Sequence, residues 1–272
     1  MRLLSLVWIL LIIVGCTTQP TIKKNFVALT IGNQNYASKS TLQNALNDVK
    51  AVNETLEKLG FDIISDIDVT NKRFTQLLAK FKSKIDENTT TFFYFSGHGN
   101  IIKYNSNEVF FVMSDSDKNS LVSIYKLYNT LNKAKGKNNI ICVDSCRSYI
   151  YDKDDSYSFY KGNNTLNISP IVKTSFDKNY PSKLPNETII SYATLVNNPA
   201  SSFGKHDKKL SPYSYYLKKY LGYELNIIKI FQSIEDNIKE DFNGTQKSKS
   251  IPNITKDLIL QKEGAMDFFD PL

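Results

Sequence analysis

From residue 26 onward, short continuous apolar runs alternate with segments whose apolar residues recur at three- and four-residue steps. The first run, residues 26–31 (FVALTI), reads as a buried strand that ends at Gly32 in a polar loop. Leu42, Ala45, Leu46, Val49, Val52, Leu56 and Leu59 then keep helical spacing, and Gly60 stands where a C-cap would end that helix. Residues 61–67 form a second predicted strand, and Phe74, Leu77, Leu78, Phe81 and Ile85 mark a helix over 71–85. A third strand is expected at 91–96 (TFFYFS), a short one at 108–113, a helix over 121–134 and a fourth strand at 139–143. The pattern lapses from 149 to 186, a polar stretch with Pro170, Pro181 and Pro185. It resumes with a fifth strand at 188–193 (TIISYA), helices near 212–221 and 226–241, and a last strand at 257–261. Alternation of strand and helix is the mark of an α/β chain. Strands that are apolar on both faces favour a mostly parallel sheet covered on both sides.

Composition narrows the chemistry. With 272 residues, 41% hydrophobic and 12% aromatic, the chain can build a real core and is not disordered. Three cysteines exclude a disulfide scaffold and a four-cysteine zinc site, and two histidines, His98 and His206, argue against a histidine-rich metal centre. The net charge of +7 comes from lysines dispersed along the chain, with Arg2, Arg73 and Arg147 the only arginines. Lysine lacks the fork that reads bases and phosphates in bidentate fashion, so no nucleic-acid partner is expected.

The N-terminus predicts a compartment. Met1 and Arg2 precede a twelve-residue apolar stretch, 3–14, interrupted by Ser5, too short to span a bilayer. It runs into Ile13, Val14, Gly15 and Cys16, which resembles a bacterial lipoprotein signal ending at the cysteine to be lipidated. The expected division is a signal peptide at 1–15, a tether at 16–24, a folded domain at 25–262 and a tail at 263–272. Acyl chains on Cys16 would anchor the protein to a membrane without a spanning helix. Thr17 carries no acidic retention signal, so by analogy the outer membrane of the cell envelope, facing the periplasm, is the expected destination.

Two polar turns follow buried strands. The third strand enters Ser96-Gly97-His98-Gly99, and the fourth enters Asp144-Ser145-Cys146-Arg147. In an open parallel sheet, ligands bind beyond the carboxyl ends of strands. If these strands are neighbours, His98 and Cys146 emerge side by side, and an imidazole is the base whose pKa suits activation of a thiol. The backbone N–H groups of Gly99 and Cys146 would then face the oxyanion of a tetrahedral intermediate.

These residues carry a resemblance. The chain is similar to caspase-fold cysteine peptidases, peptidase C14, and among them to the bacterial metacaspase-like orthocaspases. The matching segments are ALTIGNQNY at 28–36, LQNALNDV at 42–49, LGF at 59–61, FFYFSGHG at 92–99, IICVDSCRS at 140–148, ISYAT at 190–194 and SPYSYYL at 211–217. The resemblance implies a caspase-hemoglobinase fold with a mostly parallel six-stranded sheet and helices on both faces. It implies Cys146 as nucleophile and His98 as general base and acid, 48 positions apart. It also assigns Asp48, Asp144 and Ser96 to the first specificity pocket and Ser191 to substrate binding. Two carboxylates in a concave site prefer a cationic side chain, so cleavage after Arg or Lys is expected. No cofactor is required. The stretch 149–187 corresponds to the linker in which maturation cuts fall, and it offers Lys153, Lys161, Lys173, Lys178 and Lys183. The alternatives are a non-catalytic caspase-like scaffold and a peptidase of the same fold that cuts after Asn or Asp.

The remaining candidates carry less. His206 sits in a polar loop without an acidic or thiol neighbour at metal-ligand spacing, so solvent exposure is expected. Cys142 and Cys146 would lie about 13 Å apart on an extended strand, beyond the roughly 7 Å that a disulfide allows, which makes Cys142 a buried small apolar residue. Calcium activates some metacaspases, but Asp115, Asp117, Asp152, Asp154 and Asp155 fit no EF-hand loop and read as solvated.

Overall fold

A computed structural model of the chain describes residues 25–37, 41–103, 107–115, 121–150, 157–161, 164–168 and 183–260. The expected signal peptide, the tether with Cys16, the tail, most of the 149–187 linker, and Asp117, Asp152, Asp154 and Asp155 lie outside the described residues.

The elements in chain order are β1 (Asn25–Gly32), α1 (Ala45–Lys58), β2 (Asp62–Ile67), α2 (Asn71–Lys82), β3 (Thr89–Ser96), β4 (Gly99–Lys103), β5 (Asn107–Val112), β6 (Leu121–Ser123) and α3 (Ile124–Ala134). They continue with β7 (Asn138–Asp144), β8 (Ser148–Ile150), β9 (Tyr157–Lys161), β10 (Asn164–Ile168), β11 (Thr188–Tyr192), α4 (Pro212–Leu221), α5 (Ile227–Asp241) and β12 (Lys249–Asn253). Among the described residues the main sheet has six strands in the order β12-β11-β7-β3-β1-β2, all parallel except the antiparallel edge β12. That is the α/β architecture the apolar runs predict.

The period of two along the strands explains the two layers. Phe92, Tyr94, Ile140, Cys142 and Ile189 face α1, α4 and α5 in one buried cluster. Phe93, Phe95, Ile141, Val143 and Ile190 face α2 and α3 in the other. Local chemistry starts the helices: Thr70 accepts from the Arg73 N–H, Ser123 from the Tyr125 N–H and Asn226 from the Ile228 N–H. Beyond α1, Gly60 takes a left-handed φ of 83° before the chain turns into β2.

Four expectations are corrected. Residues 121–123 pair as β6 instead of opening α3, because they complete a second sheet of order β6-β5-β4-β8. In that sheet β4, absent from the sequence reading, pairs with β5 and β8. The closing strand is β12, at Lys249–Asn253, and not 257–261, where Ile259 makes only an isolated bridge to Asn226. β9 and β10 form an antiparallel hairpin inside the stretch read as aperiodic.

Candidate active site

Register brings the two polar turns together. β3 and β7 pair in parallel with Phe95 opposite Val143 and Ser96 opposite Asp144, and the Gly97 N–H continues the ladder to the Asp144 carbonyl at 3.2 Å. His98 and Cys146 each stand two residues beyond that last pair, on strands about 4.8 Å apart. Gly99 completes the junction. A Cβ there would lie 2.3 Å from Ser145 Oγ and 3.1 Å from the Cys146 carbonyl oxygen, so only glycine lets the histidine turn lie on the cysteine turn.

His98 is held through its backbone. Its N–H donates to the Tyr36 hydroxyl at 2.8 Å, its carbonyl accepts from the Val112 N–H at 3.0 Å, and the Tyr36 ring centroid lies 4.7 Å from its imidazole. Cys146 faces the α1/α4/α5 side with Cys142. Its Sγ accepts from the Ala200 N–H at 3.3 Å and is 4.0 Å from the Ala200 carbonyl oxygen, the pattern of a resting thiol. Residues 194–200 are fastened over it. The Arg147 N–H donates to the Asn198 carbonyl at 3.1 Å and the Asn197 N–H to the Arg147 carbonyl at 2.7 Å. The Arg147 guanidinium lies 3.7 Å from the Tyr192 ring centroid and donates to the Thr194 carbonyl at 3.4 Å. Gln246 closes both ends of this loop, its Oε1 accepting from the Ser201 N–H and its Nε2 donating to the Ala193 carbonyl, both at 3.0 Å. His98 and Cys146 are both at 0% exposure, the thiol against Ala200 at the end of this loop.

The carboxylates meet on the same face. Ser96 and Asp144 follow Tyr94 and Cys142 at the period of two, toward α1, which supplies Asp48, and toward the N-terminus of α4. Asp48 accepts from Ser96 Oγ at 2.9 Å, from the Ser211 N–H at 2.8 Å and from Ser214 Oγ at 2.6 Å. Asp144 accepts from Ser211 Oγ at 2.5 Å and from the Tyr94 hydroxyl at 3.1 Å. Ser211 is also the N-cap of α4, so both carboxylates sit at the positive end of that helix. Burial pushes the Tyr94 phenol well above its ordinary range, and the charges of Asp144 and Asp48 push it further, so it stays a neutral donor. These serine and tyrosine donors orient both carboxylates without cancelling their charge.

The other predicted residues are also placed. Ser191 is opposite Cys142 across β7–β11, and its hydroxyl lies against the Tyr213 phenol, which burial keeps neutral. Cys142 is buried and free, with its thiol pushed up by burial. His206 is exposed, as the sequence predicts, and in addition pairs with Asp241 at 3.0 Å and stacks on Tyr215. Asp115 corrects the sequence reading: it is no solvated carboxylate, since it is partly buried and accepts from the Asn71 N–H at the start of α2 at 2.5 Å. Among the described residues no group of His, Cys, Asp and Glu has metal-site geometry, and no helix is long and apolar enough to cross a membrane. Sequence reasoning missed Tyr36, Tyr94, Ser211, Ser214 and Gln246. Tyr36, Tyr94, Ser211 and Ser214 lie within matching segments, and the α4 cap pattern Ser-Pro was a usable signal.

A model of the caspase domain, peptidase C14, matches residues 25–262. The chain belongs to that family. As a caspase-domain protein it is 26% identical over 144 residues to human mucosa-associated lymphoid tissue lymphoma translocation protein 1, a match over 52% of this chain and 17% of that protein's length. Its fold is similar to the Drosophila initiator caspase Dronc, with TM-score 0.59, 17% identity, and 86% and 82% of the two chains covered. It is similar also to caspase-1 of Spodoptera frugiperda, with TM-score 0.64, 13% identity, and 88% and 93% covered.

Proposed function

We propose that this caspase-domain chain is a cysteine endopeptidase that cuts after Arg or Lys through Cys146 and His98. The observation that carries it is the β3–β7 register, which sends both turns off one sheet edge. His98 takes the proton of the Cys146 thiol, and the sulfur attacks the scissile carbonyl. The oxyanion faces the N–H groups of Gly99 and Cys146. His98 then returns the proton to the leaving amine, and water hydrolyses the thioester. Asp48 and Asp144, oriented by Ser96, Ser211 and Tyr94, attract the cationic side chain before the scissile bond, with Ser191 on the same face. No cofactor enters these steps. Turnover of matched Arg, Lys, Asn and Asp peptides tests the reading, with Cys146→Ala as the blank. Turnover of Arg and Lys peptides that Cys146→Ala abolishes is expected. Equal turnover of Asn or Asp peptides rejects the basic preference.

Burial of the thiol behind residues 194–200 favours one second reading, a non-catalytic scaffold that binds peptides. Covalent labelling separates the two: an electrophilic Arg peptide that modifies Cys146, but not in a His98→Ala variant, supports the enzyme. We also assign Cys16 as a lipid anchor in a bacterial envelope, by resemblance of its signal; detergent-phase partition that Cys16→Ala abolishes is the expected result. The linker lysines are proposed sites of self-processing, and a Cys146→Ala chain still cut without added protease argues against that.

A further inference from the structure

The loop after β1 does more than connect strands. Asn33 is tied to two strands and the β2–α2 turn: its N–H donates to the Ser96 carbonyl at 2.9 Å, its Nδ2 to the Val112 carbonyl at 2.9 Å, and its Oδ1 accepts from the Val69 N–H at 2.8 Å. Asp68, at a left-handed φ of 54°, caps the same loop by accepting from the N–H groups of Gln34 and Asn35, both at 2.8 Å. The result is a rigid turn that delivers one buried aromatic side chain, Tyr36, to the histidine.

The Tyr36 hydroxyl donates to the Asn33 carbonyl at 3.0 Å and accepts from the His98 N–H at 2.8 Å. Its ring lies 4.7 Å from the imidazole, tilted by 45°. The approach depends on Gly97, where a Cβ would stand 2.9 Å from the Tyr36 hydroxyl. Burial pushes the Tyr36 phenol far up, so it remains a neutral group able to donate and accept at once.

We infer that Tyr36 is the positioning residue for His98: the hydroxyl fixes the backbone of the histidine turn, and the ring fixes the plane of the imidazole. The inference rests on the reading of His98 as the base for Cys146. A general base acts only within hydrogen-bond reach of its proton, so an imidazole free to swing loses rate and leaves binding of the peptide intact. Tyr36 touches neither peptide nor thiol in this role; it acts through His98 alone.

Two readouts on the full chain test it. Against the Arg peptide, Tyr36→Leu is expected to lower kcat at least about tenfold with KM unchanged, and Tyr36→Phe, which keeps the ring, about fivefold. The second readout needs no turnover. With only two histidines in the chain, a His206→Gln background leaves His98 as the single set of imidazole signals in a proton–carbon correlation spectrum. Tyr36→Leu should remove the ring-current shift of the His98 ring protons, and Tyr36→Phe should retain it. An unchanged kcat in Tyr36→Phe, a loss expressed only in KM, or His98 signals unmoved in Tyr36→Leu overturns the inference. Where Tyr36→Leu does not fold, kcat of Tyr36→Phe decides. A Cys146→Ala chain that still cleaves removes the peptidase reading instead, and the His98 signals then decide the role of Tyr36 by themselves.

Discussion

At the scale of single residues, the site depends on atoms that are absent as much as on those present. Gly99 has no space for a methyl group, since Ser145 Oγ would lie 2.3 Å from it. Gly99→Ala must therefore push the Ser145–Cys146 turn away from the histidine turn, and overpacking of this kind costs about 1–3 kcal/mol. The expected outcome is a lower melting temperature together with a loss of peptide turnover well beyond what unfolding explains; turnover that survives intact would show that the two turns need not touch. The carboxylates make a second residue-scale case. Asp48→Asn keeps the shape and removes the charge, so KM for Arg and Lys peptides should rise at least about thirtyfold, the effect of breaking one buried ionic contact. A change in kcat alone, with KM steady, would place Asp48 outside the specificity pocket. Ser211→Ala removes both the α4 cap and the Asp144 donor and should cost about 1–2 kcal/mol in urea unfolding.

At the scale of elements, the decisive feature is the loop at 194–200, held by side chains from outside it. Gln246 comes from beyond the end of α5, yet its two hydrogen bonds span the loop from Ala193 to Ser201. Gln246→Leu keeps the volume and loses both bonds, each worth about 1 kcal/mol net. Iodoacetamide should then modify Cys146 about tenfold faster, followed by mass spectrometry of the cysteine-bearing peptide; an unchanged rate would mean that Gln246 does not hold the loop shut. Asp241, the last residue of α5, ties that helix to Tyr216 of α4 and to His206 and Lys205. Burial alone would raise its carboxyl pKa, but the bonds from Tyr216 and His206 and the nearby positive charges outweigh it and lower the net value. A depressed carboxyl pKa stabilises the fold above the ordinary carboxylate range, and this contribution is lost as pH falls through the folded value. Asp241→Asn should accordingly flatten the acid limb of the stability profile measured by thermal melts.

At the scale of the whole molecule, the sheet explains both where the site sits and how one edge is closed. The Ser250 N–H on β12 donates to Glu235 Oε1 at 2.5 Å instead of to a strand, and two residues on, at the same side of the strand, Pro252 has no N–H to offer. This edge is therefore a poor template for another strand, and a Glu235→Ala, Pro252→Val double variant should self-associate more strongly with concentration than the parent in sedimentation velocity; equal behaviour would mean that these two residues do not guard the edge.

What could be read in the chain by itself were the features that repeat locally. Apolar runs and 3.6-residue spacing marked β1, β3, β7, β11 and α1, α2, α4 and α5, because burial of a face imposes a period on neighbouring residues. His98 and Cys146 were visible for the same reason, as polar breaks at the ends of such runs. β4 and β6 left no comparable trace: β6 has only three residues, and β4 (GNIIK) holds two apolar residues between polar ends, so neither makes an apolar run, and both draw their pairing from a second sheet. Tertiary structure alone decided which polar side chains became part of the site: Ser211 meets Asp48 from 163 positions away, and Gln246 meets Ala193 from 53. A single serine or glutamine carries no periodic signature. Its role arises when the sheet excludes water around it and every donor and acceptor left inside must find its partner across the fold.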